Sequence, residues 1–186
     1  VAPENHSRLP GVIVIVMGVS GCGKSTVAHL LAERLDGHFR DGDELHPPAN
    51  IALMASGTPL TDEDRWPWLE QVRDYARHAA SEHGVVVIAC SALRQRYRDL
   101  LGEAGCVYHV FLDGSRELIS GRIRERKGHF MPDSLLDTQF AALESPVGQP
   151  RVVTVDITPA PAQIAAAAEA ALREHPDFIK AIGTPP

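Results

Sequence analysis

The sequence predicts an α/β fold, a five-stranded and mainly parallel sheet flanked by helices. Three observations predict it. Short β-branched runs, above all residues 12–16 and 85–89, are apolar enough to be covered on both faces. Between such runs lie longer stretches with apolar residues at helical spacing. A glycine-rich turn, GVSGCGKST at residues 18–26, joins the first apolar run to the first helical stretch.

The first strand is expected at residues 12–16 and the first helix from Lys24. The turn between them matches G-x-x-x-x-G-K-[ST], with Gly18, Gly23, Lys24 and Ser25 at the fixed positions. Chance produces such a match in a chain of this size in roughly 0.5% of cases from average residue usage. Its glycines let the backbone aim several N–H groups inward as a nest for phosphate oxygens. The helix N-terminus behind it adds unpaired donors and positive dipole character. Lys24 reaches toward the β- and γ-phosphates, and the Ser25 hydroxyl is a ligand for Mg²⁺. Strand, loop and helix in this order predict a P-loop NTPase fold that binds a nucleoside triphosphate through Gly18, Val19, Ser20, Gly21, Cys22, Gly23, Lys24, Ser25 and Thr26. Cys22 reads as a small residue tolerated in the loop.

Val27, Leu30, Leu31 and Leu35 give the first helix its apolar side, and Gly37 suits its stop. A brief strand at 38–40 ends in Asp41-Gly42-Asp43. Pro47-Pro48 breaks the chain before a short helix at 49–55. Thr61 caps a long helix with Asp64 three residues on, running to about Glu82, although Pro67 weakens its first turns. Further strands are expected at 85–89, 107–112 and 151–156. Helices are expected at 94–101, 115–126, 132–143 and 161–173. The proline-punctuated tail, 175–186, reads as loosely held. Right-handed crossovers then place the phosphate loop, the Asp41 turn and the Cys90-Ser91 turn on one sheet edge, where ligands bind in open α/β sheets.

With 186 residues, 44% of them hydrophobic and 23% charged, a single soluble domain over residues 1–186 is expected. A net charge of -6 argues against a nucleic-acid-binding surface. Cys22, Cys90 and Cys106 lack metal-site or disulfide spacing, which fits a reducing cytoplasm. The apolar run at 12–16 is far too short to span a bilayer, and no secretory leader is expected ahead of it.

Several residues compete for the role of choosing a substrate. Asp41 and Asp43, just past a strand, suit deprotonating or orienting a hydroxyl, or holding a water on Mg²⁺; the alternative is plain turn chemistry. Asp41, nearer the strand end, is the first choice for base or metal contact. His46 follows in the same turn. Arg65 either pairs with neighbouring acids or grips a substrate carboxylate with its planar fork. Trp66 and Trp68 read as core. The basic stretch at 121–130 puts Arg122 and Arg126 on one helical face, either a solvated face or a small mobile lid over the triphosphate at about 122–140, with Gly128 as hinge.

MGVSGCGKST, DGDELHPPANIALMASGTPLTDEDRWPWL, VVIACSALRQRYRDLL and the RKGHF segment together resemble gluconokinases of the small P-loop type, over residues 12–156. The resemblance implies ATP-dependent phosphorylation of D-gluconate at the 6-hydroxyl, with Mg²⁺, on a nucleoside-monophosphate-kinase-like fold. It also implies a homodimer. Lys24, Asp41 and Arg126 would be catalytic, and Ser25 and Asp41 would lie at the metal. Arg122 would stack near the adenine. Asp43, His46, Arg65, Ser91, Arg98 and His129 would contact the sugar acid, within a substrate region at about 41–82 and beyond. Alternatives are a kinase for another small hydroxy acid such as shikimate, and a non-catalytic ATP-binding module.

Overall fold

The computed structural model describes residues 11–125 and 133–183. Five parallel strands run in the order β2-β3-β1-β4-β5: β1 (Val12–Met17), β2 (His38–Asp41), β3 (Val85–Ala89), β4 (Cys106–Asp113) and β5 (Val152–Asp156). Every residue of β1 and β3 is buried, because both strands are covered on both faces. Alternation along each strand divides the interior in two. Val12, Val14, Val16, Val87 and Val110 face α1 (Lys24–Arg34) and α7 (Pro161–Arg173). Ile13, Ile15, Met17, Val86, Ile88 and Phe111 face α3 (Asp62–His83) and α4 (Gln95–Gly102).

Local chemistry accounts for the element ends. The Thr61 side chain accepts from Asp64 N–H while the Asp64 carboxylate accepts from Thr61 N–H, so α3 starts one residue after Thr61. Pro67 lies within α3 without ending it. The next residue, Trp68, is buried and its Nε1 donates to Gly42 O at 2.8 Å, so tertiary packing holds the helix over the proline. Between α1 and α3, a 3-10 turn (Gly42–Leu45) and α2 (Pro48–Ala55) carry the chain across the carboxyl edge of the sheet.

Two more helices, α5 (Arg116–Glu125) and α6 (Asp133–Ala142), follow β4. The expected hinge Gly128 falls outside the described residues, between these helices. The tail departs from expectation. Pro176 opens a further helix, α8 (Pro176–Ile182), and Phe178 is wholly buried with its ring edge-on to Tyr108 at 5.1 Å. At the first helical position the missing N–H of proline costs nothing, so Pro176 starts a helix instead of loosening the tail. Among the described residues, no helix is long and apolar enough to cross a membrane.

Candidate active site

The glycine turn after β1 wraps as its composition requires. Gly18, Gly21 and Gly23 all have positive φ, from 82° to 145°. A Cβ on Gly21 would lie 2.5 Å from Ile123 of α5, so glycine also lets that helix settle on the loop. Val19 and Cys22 turn their side chains into the core, and burial pushes the Cys22 thiol pKa up; their backbone alone is left for a ligand. The Gly18 N–H donates to Ser91 O at 3.3 Å, tying the loop to the segment after β3.

A cavity of about 330 Å³ opens at this edge, lined by Ser20, Gly21, Gly23, Lys24, Ser25, Thr26, Asp41, Asp43, Ala89 and Ile123. It brings the anion nest and both aspartates together. Lys24 Nζ donates to Val19 O at 3.1 Å, arching over the loop. The Ser25 hydroxyl donates to Asp41 Oδ2 at 2.5 Å, and Asp41 Oδ1 accepts from Asp43 N–H at 3.0 Å. Asp41 therefore spends one oxygen on the phosphate-loop serine and the other on capping its own turn. Asp43 projects outward with its side chain 84% exposed. Desolvation by the cleft walls, then the Asp41 carboxylate, raises its pKa, while Lys24 and His46 pull it back. With so much of the side chain in solvent, the Asp41 charge is the firmer cause.

His46 is 8% exposed, stacked on Trp68 with ring centroids 4.2 Å apart. Asn50 Nδ2 lies 3.3 Å from His46 Nδ1 and also donates to Asp64 O at 2.8 Å. An amide nitrogen only donates, so Nδ1 accepts and the ring proton sits on Nε2, 3.9 Å from Asp43 Oδ1. Burial lowers the His46 pKa, with Asp43 opposing and Arg65 adding to the shift, so the ring is neutral near pH 7. His46 thus forms part of the wall behind Asp43.

The remaining candidates are placed unevenly. Arg65 is 38% exposed and 4.0 Å from Asp62, which also meets Arg94, Arg96 and the Tyr97 hydroxyl. The Arg65 contact is the pairing with neighbouring acids that the sequence allowed, whereas Arg94 and Arg96 join Asp62 from a distant part of the chain. Ser91 is half-buried and offers its carbonyl to the loop rather than its side chain to the cavity. Arg122 lies outside the cavity lining, donating to Ile157 O at 2.5 Å in the segment after β5. Arg126 and His129 fall outside the described residues.

Arg98 sits apart from the phosphate-loop cavity. It is 3% exposed, and its guanidinium donates to Ala92 O, Leu93 O, Gln95 Oε1 and Glu144 O at 2.9 to 3.1 Å. Such a group fastens loops together, while its Nε–H is left without a partner and it lines a separate cavity of about 560 Å³ rather than that of the phosphate loop. One contact that the sequence did not suggest reaches the phosphate loop itself: the Gln139 carboxamide of α6 accepts from Ser20 N–H at 2.6 Å and donates to Ser20 Oγ at 2.8 Å.

Among the described residues, no cluster of three or more His, Cys, Asp or Glu could cage a metal ion. Mg²⁺ does not need one, since it is held by one or two protein oxygens, waters and substrate phosphates. The hard oxygens of Ser25 and Asp41 beside the anion nest fit that requirement.

Comparison with known proteins gives a consistent picture. A family model described as an AAA domain matches residues 13–146. A gluconokinase of Gluconobacter oxydans is 47% identical over 153 residues, covering 82% of this chain and 86% of its own length. The thermosensitive gluconokinase of Escherichia coli is 44% identical, covering 80% of this chain and 81% of its own. The crystal structure of a gluconokinase from Sinorhizobium meliloti superposes with a TM-score of 0.81 at 47% identity, covering 90% of this chain and 94% of that one. With the phosphate loop, the paired aspartates and the parallel sheet already in place, these likenesses extend over most of the molecule, and the chain belongs to the gluconokinase family of P-loop kinases.

Proposed function

We propose that this chain transfers the γ-phosphoryl group of ATP to the 6-hydroxyl of D-gluconate, giving 6-phospho-D-gluconate and ADP. The observation that carries the reading is the shared cavity: the anion nest and the Asp41–Asp43 pair line one space of about 330 Å³. In-line transfer needs a phosphate cradle and an acceptor-orienting carboxylate within one water-poor site.

The loop amides of 21–26 and the Lys24 ammonium hold the β- and γ-phosphates. Ser25 and Asp41 would hold Mg²⁺, which would supply positive charge to offset that of the phosphates. Because Asp41 is tied to the loop serine and stands on the metal side, Asp43 is the carboxylate left to face the acceptor. Asp43 accepts the hydrogen bond of the 6-hydroxyl and takes its proton as the new P–O bond forms. Its raised pKa suits that task better than an ordinary carboxylate would. This shifts the base role from Asp41, the first choice from sequence, to its neighbour. Arg65 is the gluconate-carboxylate partner, and His46 backs Asp43 from the wall. Arg122 flanks the adenine beside the segment after β5, and the same reading takes Arg126 as a catalytic charge and His129 as a substrate contact. A reducing cytoplasmic setting belongs to the same reading, supported by the free thiols of Cys22, Cys90 and Cys106.

A coupled assay of ADP release tests the proposal with D-gluconate, with shikimate and with no acceptor. Release that depends on gluconate and exceeds the other two supports it. Equal release in all three, or a preference for shikimate, overturns it.

A further inference from the structure

The bond between Gln139 and Ser20 has a fixed polarity. A backbone N–H only donates, so the carboxamide oxygen must face Ser20 N, and the amide nitrogen must then donate to Ser20 Oγ. Ser20 Oγ accordingly acts as acceptor toward Gln139, and its own O–H proton is free to point elsewhere. Ser20 lines the cavity of the phosphate loop. Its N–H, at the third position of the loop, is already spent.

Gln139 stands on firm ground. Leu136, on the same helix, is 1% exposed within the core, and Asp137 pairs with Arg116 of α5. Just past α6, Glu144 N–H donates to Leu93 O at 2.9 Å, and the Glu144 carboxylate accepts from Gln95 N–H at 2.6 Å. The helix is thus stapled to the segment after β3, the same segment that receives Gly18 N–H.

We propose that Gln139 is a positioning residue that turns the Ser20 hydroxyl into an oriented donor for a triphosphate oxygen. By donating to Oγ and accepting from the Ser20 N–H, the carboxamide holds the peptide and leaves the hydroxyl one free direction, into the cavity. The hydroxyl replaces, as a phosphate donor, the backbone N–H that Gln139 has taken. The inference rests on the reading of this cavity as an ATP site, and needs no assumption about the acceptor.

The test is a double-mutant cycle on equilibrium binding of a non-hydrolysable ATP analogue with Mg²⁺, measured by calorimetry. Ser20→Ala and Gln139→Ala are each expected to weaken binding about tenfold, as loss of a hydrogen bond to a charged group does. The double variant is expected to lose about the same tenfold, since both changes remove one donor. Gln139→Met, which fills similar volume without hydrogen bonds, should match Gln139→Ala and keeps the test valid should the alanine variant fold poorly. Unchanged affinity, tighter binding, or losses that multiply to about a hundredfold would overturn the assignment. Turnover with gluconate is recorded separately: analogue binding by the wild type without any gluconate phosphorylation would refute the proposed reaction while leaving the role of Gln139 to be decided by the cycle.

Discussion

Gly42 separates the two aspartates, and its neighbourhood makes Gly42→Ala a sharp perturbation. A Cβ there would sit 2.6 Å from Ala89 O, about 0.8 Å inside ordinary van der Waals contact. Gly42 has no positive φ, so the conflict is purely steric. Ala89 cannot retreat, because β3 is paired on both sides, with β1 and β2. The turn must therefore move instead, carrying Asp41 and Asp43 away from the phosphate loop. It would also strain the bond from Trp68 Nε1 to Gly42 O. A misplacement approaching 1 Å costs on the order of 10²-fold in rate, so turnover should fall roughly 10- to 100-fold. Overpacking of this kind costs about 1–3 kcal/mol, which lowers Tm by roughly 2–12 °C in a domain of this size. The assay is ADP release with saturating gluconate, paired with a thermal melt. KM for ATP should change less than kcat, because the loop keeps its separate anchor through Gly18 N–H to Ser91 O. Wild-type kcat at wild-type Tm would refute the argument.

Three further outcomes are expected. Lys24→Met should lower turnover about 10²–10³-fold, as removal of other preorganised donors does, and near-wild-type turnover would remove Lys24 from the machinery. Asp43→Asn should abolish the acid limb of kcat/KM: desolvation and the Asp41 charge make Asp43 hold its proton to higher pH than an ordinary carboxylate, so its ionised form is lost first as pH falls. An acid limb that survives in the variant would assign that limb to another group. Burial, and secondarily Arg98, pushes the His109 pKa from 6.5 down to about 4. The unfolded chain then binds more protons than the folded one between those values, so stability is full above about pH 6.5 and declines toward pH 4. The ceiling is roughly 3 kcal/mol. His109→Gln should flatten the fall of Tm with acid, and identical acid slopes for the two proteins would contradict this.

What the sequence disclosed was local chemistry. β3 and α7 begin and end where the β-branched run and the alanine-rich stretch do, and the Thr61–Asp64 cap marks the start of α3. The nest, Ser25 and the aspartate pair were legible because each occupies a turn at a strand end, and parallel topology sends all such turns to one edge. What escaped depends on distance along the chain. Nothing local to Arg98 indicates that four acceptors, one of them Glu144 O, would surround its guanidinium. Gln139 lies 119 residues from Ser20, so its bonds exist only once α6 is docked. The tail misled for the opposite reason. Pro176 is a strong local signal whose meaning changes when Phe178 finds a core pocket beside Tyr108.

Direct transfer requires one space to serve both the triphosphate and the acceptor hydroxyl. The most direct measurement is phosphorus–proton correlation NMR on a reaction of the wild-type protein with Mg²⁺, ATP and D-gluconate. The expected product is a phosphate ester coupled to the protons on carbon 6 of gluconate, accumulating as ATP is consumed. ATP consumption that yields only inorganic phosphate, or an ester at another carbon, would contradict it.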